Sequence, residues 1–167
     1  MRTELADVNV LLAVANSDHT DHIEASAWLR AVSRFATTPI TEAGLVRLLM
    51  NARVMDTPAT MSEAVAALSA IRSLRHADFL ADATSLADAR AITTHVTGTK
   101  QVTDTHLLNL AIAHGCVLTT FDARLRASLP SPHRHHVRVI GDAKTRRHSK
   151  VIRTNASAVP SSATARA

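Results

Sequence analysis

Four acidic residues stand where short apolar segments give way to helical patterns. Asp7 follows the segment MRTELA, Glu42 comes early in the helical pattern after FATT, Asp104 opens TDTHLL, and Asp122 follows CVLTTF. If these apolar segments are parallel strands, their carboxyl ends meet at one edge of the sheet, outside which ligands bind in such folds. The sequence therefore predicts that the four carboxylates lie together.

Four carboxylates at one edge repel each other. Without a cation, some of them would stay protonated. A hard cation such as Mg²⁺ prefers oxygen ligands and removes this repulsion. Two such ions can activate a water molecule and stabilise the leaving oxygen of a phosphodiester. The acids thus indicate a metal-dependent site for phosphodiester cleavage.

Each acid also has an ordinary structural interpretation. Asp7, Asp104 and Asp122 each precede a helical run and fit the N-cap position. Glu42 falls in a first helical turn, where the helix dipole favours a negative charge. Their common position at strand ends is what favours the functional interpretation.

The periodicity of apolar residues predicts strands that alternate with helices. Strands are predicted at MRTELA, FATT, HADFLAD, CVLTT and HVRVIG, and amphipathic helical patterns lie between them. Thr38 is a predicted N-cap with Pro39 at the first helical position, and Gly115 is a predicted C-cap. A single helix is predicted for TSLADARAITTHV. This order predicts an α/β fold of three layers, α/β/α, with a mostly parallel central sheet.

Composition divides the chain into a body and a basic tail. The chain has 167 residues, 46% of them apolar, which is enough for one domain over residues 1–141. Residues 142–167 hold six basic residues and one acid, so they carry the whole net charge of +5. Their small and polar composition predicts disorder. The charge indicates either a polyanion partner such as nucleic acid or a solvated tail that keeps the protein soluble.

Other features exclude several classes of protein. A single cysteine, Cys116, cannot form an internal disulfide and indicates a reducing, cytoplasmic location. No apolar run approaches the length of a membrane span, and aromatic residues amount to only 2%, which argues against RNA binding by stacking. Histidines within residues 19–22 and 133–136 have loosely zinc-like spacing, but they fit solvated loops better because no cysteine accompanies them.

Three segments resemble a known family. LADVNVLLAVAN, ITEAGLVRLL and VTDTHLLNLAIAHGCVLTTFDARL, in this order, are similar to the PIN-domain ribonucleases, and specifically to the VapC toxins of bacterial toxin–antitoxin pairs. The resemblance covers about residues 1–141, and the basic tail is not part of the family pattern. It implies the toxin of a type II toxin–antitoxin pair, a Mg²⁺-dependent endoribonuclease that cleaves structured RNA such as tRNA or rRNA. Mn²⁺ is an alternative ion.

The resemblance also implies partners. A cognate VapB-type antitoxin would block the acidic site, because clustered carboxylates attract an inserted Arg or Lys. The amphipathic segments 20–34 and 38–53 are expected to supply the apolar groove for this partner. A homodimer and no association with membranes are expected as well.

The four acids stand where the family places its catalytic carboxylates. Asp7 and Asp104 are the expected metal ligands, because both are short side chains fixed at the ends of elements. Glu42 reaches further and could bind a second ion or orient water. Asp122 could act directly or through a bound water.

Three further residues match the family pattern. Asn9 and Thr120 could hydrogen-bond the carboxylates from behind, although a polar residue at a helix start and a β-branched strand residue are the ordinary interpretations. Arg47 could pair with an acid or hold a phosphate, and it fits a surface arginine equally well.

Two other functions remain open from the sequence. The same acids would serve a metal-dependent phosphatase or a DNA nuclease. A catalytically degenerate domain could instead bind RNA or a partner through the basic tail. The complete set of acids argues against degeneracy, and the scarcity of aromatic residues argues against a pure binding domain.

Overall fold

Five strands alternate with seven α-helices in the described part of the chain. The computed structural model describes residues 2–93, 98–99 and 101–141. The elements are β1 (Glu4–Ala6), α1 (Val8–Ala15), α2 (His22–Ala31), β2 (Phe35–Thr37), α3 (Pro39–Leu49), α4 (Met61–Arg72), β3 (Ala77–Phe79), α5 (Arg90–Thr93), α6 (Gln101–Ala113), β4 (Val117–Thr120), α7 (Ala123–Ser128) and β5 (Val137–Val139). Short 3₁₀ turns cover Leu86–Asp88 and Ser131–His136.

The strands form one sheet in the order β3-β2-β1-β4-β5. All of their pairings are parallel, which confirms the predicted α/β fold with a parallel central sheet. The chain begins at the centre of the sheet, extends to one edge at β3, and returns to the other side at β4. This change of direction places a crevice outside the carboxyl ends of β1 and β4, where ligands bind in such sheets.

Both faces of the sheet are covered by helices. Successive strand residues point to opposite faces, so Leu5 and Phe35 contribute to different cores from their neighbours Ala6 and Ala36. One core contains apolar residues of α1 to α4, and the other contains residues of α5, α6 and α7. Burial on both faces explains why the strands are apolar without alternation.

Local capping signals set several helix boundaries as predicted. Thr38 precedes α3, Pro39 begins it, and the hydroxyl of Thr41 accepts a hydrogen bond of 3.0 Å from the Thr38 N–H. The C-cap region of α6 contains Gly115, whose φ of +65° lies in the left-handed region that favours glycine. No described helix has the length and apolarity needed to cross a membrane.

The segment predicted as one helix over TSLADARAITTHV is broken where it is described. The Ser85 hydroxyl accepts from the Ala87 N–H at 3.1 Å and caps only a 3₁₀ turn. Ala89 then leaves helical geometry, with φ −91° and ψ 36°, before the short α5 begins. A serine that bonds nearby backbone in this way competes with a continuous helix. The end of this segment and the basic tail lie outside the described residues.

A glycine allows the helices that follow β1 and β2 to pack closely. Gly44 is buried in α3, and a methyl group there would lie 2.8 Å from Cγ2 of Val8 in α1. Any larger residue would push the two helices apart, because real carbon atoms do not approach this closely. The contact therefore holds the first turn of α3, which carries Glu42, against the first turn of α1, next to Asp7.

Candidate active site

Asp7 directly follows β1 and lies in the crevice between β1 and β4. Its side chain is buried, with only 6% of the residue exposed. The Thr120 hydroxyl donates a hydrogen bond of 2.7 Å to Oδ2 of Asp7. Burial raises the pKa of Asp7, and this hydrogen bond and the nearby amides of Val8 and Asn9 only partly oppose the increase. A carboxylate in this position needs a proton or a cation to balance its desolvation.

Asp104 lies in α6 and faces the same crevice as Asp7. The pKa of Asp104 is raised to about 6, first by burial and then by the negative charges of Asp7 and Asp122. Three carboxylates from separate parts of the chain thus lie close enough to repel each other. The helix begins at Gln101, so Asp104 lies in its first turn and the predicted N-cap position is wrong. Two helical residues, Gln101 and Val102, precede the segment TDTHLL.

Asp122 caps α7 two residues after β4. Its Oδ1 accepts from the N–H groups of Arg124 at 2.7 Å and Leu125 at 3.3 Å. Its own N–H donates to the Thr120 hydroxyl at 3.1 Å, so that hydroxyl connects Asp122 to Asp7. Oδ2 makes no hydrogen bond with the residues described. One carboxylate oxygen of Asp122 therefore caps α7, and the other is available to a ligand.

Glu42 is held differently from the three aspartates. Its Oε1 accepts from the Thr37 hydroxyl at 2.6 Å and from Nη1 of Arg72 at 2.5 Å. Glu42 is not among the charges that raise the pKa of Asp104. The structure thus places Asp7, Asp104 and Asp122 near enough for their charges to influence each other, and it pairs the fourth acid with an arginine.

Sequence reasoning missed both partners of Glu42. Thr37 lies within the predicted strand FATT and is the last residue of β2, where a hydroxyl before a helix start is a weak local signal. Arg72 ends α4, 30 residues after Glu42, and its guanidinium also lies 4.6 Å from the ring centre of Phe79. Nothing local in the sequence indicates that pair.

Asn9 does not reach the acids with its side chain. The side chain is exposed in the first turn of α1 and forms no hydrogen bond with the residues described. Only its backbone amide lies near enough to stabilise the Asp7 carboxylate. The structure therefore places Asn9 as a polar residue at a helix start.

Arg47 lies beside the acids without pairing with one. It lines a cavity of about 330 Å³ together with Val8 and Thr103, the sequence neighbours of Asp7 and Asp104. Its exposed guanidinium forms no ion pair within the described ranges. This placement leaves Arg47 free to meet a ligand at the mouth of the crevice.

The carboxylates fit an ion that keeps part of its water shell. No three His, Cys, Asp or Glu side chains of the described residues are arranged to hold a metal by themselves, and this includes the histidines of the 3₁₀ turn Ser131–His136. Mg²⁺ commonly binds through one or two carboxylates and retains several waters. Burial and, after it, the negative charges of Asp7 and Asp122 raise the pKa of Asp104, and a bound cation would relieve the charge repulsion.

An apolar groove lies between α3 and α4. Its volume is about 660 Å³, and Glu42 and Arg47 stand among the residues that line it. Its apolar lining residues are Pro39, Ala43, Val46, Met50, Met61, Val65 and Leu68.

Segment 20–34 lines no part of this groove, so its expected contact with a partner stays a prediction. The apolar side of α2 is used within the fold, because Trp28 packs edge-on against Phe35 with ring centres 5.8 Å apart. The indole N–H of Trp28 also donates to Glu4 at 2.7 Å. This leaves α4 as the neighbour that completes the groove beside α3.

The chain is similar to a characterised family over most of its described length. The PIN domain family profile matches residues 5–128. Ribonuclease VapC39 from Mycobacterium tuberculosis is 41% identical over 133 residues, which are 75% of this chain and 93% of that protein. Ribonuclease VapC44 from the same species is 34% identical over 137 residues, which are 80% of this chain and 96% of that protein.

Solved structures share the fold. Mycobacterium tuberculosis VapC20, described as a sarcin–ricin loop cleaving toxin, matches with a TM-score of 0.55 and 19% identity over 75% of this chain and 94% of its own. VapBC2 from Rickettsia felis, bound to a DNA fragment from its promoter, matches with a TM-score of 0.55 and 12% identity over 83% of this chain and 98% of its own. The family match and the close sequence relatives confirm the resemblance found in the sequence. The chain therefore belongs to the PIN-domain family, in the group of the VapC ribonucleases.

Proposed function

We propose that this protein is the toxin of a type II toxin–antitoxin pair and a Mg²⁺-dependent endoribonuclease that cleaves structured cellular RNA such as tRNA or rRNA. The observation that carries the proposal is the placement of three acids around one crevice: Asp7 follows β1, Asp104 lies in the first turn of α6, and Asp122 follows β4. Burial and their negative charges raise the pKa of Asp7 and of Asp104. Relatives named ribonucleases support an activity on RNA.

In the proposed mechanism Asp7 and Asp104 would hold the divalent cation. When bound, the cation supplies Lewis-acid activation of water and of the scissile phosphate. Thr120 fixes the orientation of Asp7 through its hydroxyl. Asp122 offers Oδ2 to the ion or to a water.

Glu42 has a separate role in this proposal. Thr37 and Arg72 hold its Oε1, which leaves Oε2 to orient a water or to accept a proton.

Cleavage of tRNA by the full-length protein, with Mg²⁺ or with EDTA, tests the proposal. Asp7→Asn should lower the cleavage rate at least ~100-fold, because the neutral amide no longer attracts the ion. Asp56→Asn changes an exposed carboxyl outside the site and should keep the wild-type rate. Cleavage in EDTA, or near-normal cleavage by Asp7→Asn, would overturn the assignment of the site.

The ends of the RNA products test the chemistry. Attack by water does not need the RNA 2′-hydroxyl, so the products should carry a 5′-phosphate and a 3′-hydroxyl. A substrate with one 2′-deoxynucleotide at the cleavage site should still be cut. A histidine-based mechanism would instead use the 2′-hydroxyl and leave a cyclic phosphate.

We further propose that a VapB-type antitoxin binds the groove between α3 and α4. An apolar helix would cover Val46, Met50 and Val65, and a basic side chain beside it would reach the acids. Co-expression of the neighbouring short gene should relieve growth inhibition by the protein. We also expect the free protein to be a homodimer, which its mass in solution would show.

A further inference from the structure

The residues that follow Asp122 in the chain form a surface with positive charge, and its arginines do not pair with the acids of the candidate site. Residues 122–141 contain four arginines and a single acid, Asp122. One of these arginines, Arg138, is neutralised by an ion pair with Glu4. The side chains of Arg124 and Arg126 are exposed on α7 and form no ion pair or hydrogen bond within the described ranges. This part of the surface therefore presents unpaired cations beside Asp122.

The fourth arginine is hydrogen-bonded to backbone carbonyls without losing its charge. Nε of Arg134 donates to the Leu129 carbonyl at 2.9 Å, and Nη2 donates to the Ala127 carbonyl at 3.4 Å. A guanidinium has five N–H donors, so these two bonds leave the others unused. No carboxylate of the described chain pairs with Arg134. The structure thus provides a fixed cation with free donors.

Arg126 and Arg134 line the same cavity, which has a volume of about 310 Å³. The remaining lining residues, Ala123, Ala127 and Val139, are small or apolar and bear no charge. Two guanidinium groups in one concave site favour an anion with several oxygens, and a phosphodiester has this chemistry.

The cavity lies next to the acidic site along α7. Asp122 caps the helix and Arg126 follows four residues later, about one helical turn or ~6 Å along the axis. An RNA strand whose scissile phosphate lies at Asp122 therefore passes the cavity with a neighbouring phosphate. The short distance favours a substrate phosphate over an unrelated anion.

We propose that Arg126 and Arg134 bind a phosphate of the RNA substrate next to the cleavage site. This inference rests on the proposed ribonuclease function. Arg124, on the same helix, adds a second cation along the path of the strand. The two arginines of the cavity position the RNA and take no part in the chemical step.

The salt dependence of RNA binding tests the proposal. The full-length chain carrying Asp7→Asn binds fluorescein-labelled tRNA without cutting it, and fluorescence anisotropy gives Kd over a range of salt concentrations. Adding Arg126→Gln should raise Kd about fivefold at low salt. It should also reduce the slope of log Kd against log salt by about 0.7–0.9, the value for one lost phosphate contact.

Two matched variants separate the cavity from total charge. Arg126→Lys keeps the charge and should keep the slope. Arg30→Gln removes one exposed arginine from α2, on the opposite face of the sheet, and should leave both Kd and slope near those of the parent. An unchanged slope in Arg126→Gln, or an equal loss in Arg30→Gln, would overturn the proposal.

A cleavage assay distinguishes the two proposals. In the chain with Asp7 intact, Arg126→Gln should raise KM and leave kcat near the wild-type value, because binding is weakened and the acids are unchanged. If the wild-type chain cuts no RNA, the ribonuclease proposal fails, and the binding measurements still decide whether the cavity holds a phosphate.

Discussion

At the residue scale, the pKa of Asp104 connects the candidate site to the stability of the fold. Burial and the charges of Asp7 and Asp122 raise this pKa from 3.8 to about 6. Between these two pH values the folded chain keeps a proton that the unfolded chain has already released. The free energy of unfolding therefore falls as pH rises from about 4 to about 6, and the loss is complete above that range.

Asp104→Asn should accordingly be more stable than the wild type at pH 7 when no divalent cation is present. The side chain is partly exposed, so solvent screening limits the gain to about 1 kcal/mol. Near pH 4 the difference should be smallest. Urea denaturation in EDTA at both pH values measures it, with exposed Asp88→Asn as a control that should change little. A difference that is the same at both pH values would contradict the pKa shift as its cause.

Position along the chain was enough to predict that certain acidic residues lie close together. Asp7 and Asp122 follow predicted strands, and the parallel sheet brings them together. The Thr120 hydroxyl was compatible with two interpretations, and only the geometry shows that it donates to Asp7. The pairing of Glu42 with Arg72 depends on how α4 packs beside α3, which no local pattern encodes.

At the scale of elements, the approach of α1 and α3 depends on one missing methyl group. Gly44→Ala would place Cβ 2.8 Å from Cγ2 and 3.1 Å from Cγ1 of Val8. Valine in a helix has little freedom to rotate away, so the helices must separate. Alanine is otherwise the better helix former by about 1 kcal/mol, which offsets part of the strain.

Gly44→Ala should lower the free energy of unfolding by about 1–2 kcal/mol because overpacking outweighs helix propensity. Gly98→Ala is a control outside the helices, since no described atom beyond its chain neighbours lies within 4 Å of the added methyl, and it should be nearly neutral. The double variant Val8→Ala/Gly44→Ala should recover stability relative to Gly44→Ala. Denaturation curves that show no such recovery would place the strain elsewhere.

Element boundaries were predictable where a cap specifies them locally. Thr38 caps α3 and Pro39 begins it as predicted, and Thr60 caps α4 with the Glu63 carboxylate accepting from its N–H at 2.8 Å. The break after Ser85 was missed because its side chain bonds nearby backbone instead of continuing a helix. The sequence did not indicate that α4 forms the second wall of the groove, because packing across the whole core determines which helices are neighbours.

At the scale of the whole molecule, positive charge is distributed in two parts. Residues 1–141 are neutral as a set, and residues 142–167 carry the net charge of +5. Within the body, the arginines after Asp122 still form a local cationic surface beside the acidic crevice. An RNA molecule at the crevice would therefore meet local cations from the body.

Removal of all residues after Gly141 should leave thermal stability unchanged, because residues 142–167 contain few large apolar side chains. The same truncation should weaken RNA binding at low salt and flatten the salt dependence, since cations that bind phosphates release counterions. Arg126→Gln should reduce the slope further in the truncated chain, because the cavity and the tail contact separate phosphates. Anisotropy titrations of the full-length and truncated chains, each carrying Asp7→Asn, provide the comparison. A slope that truncation does not alter would show that the charge of the tail does not bind RNA.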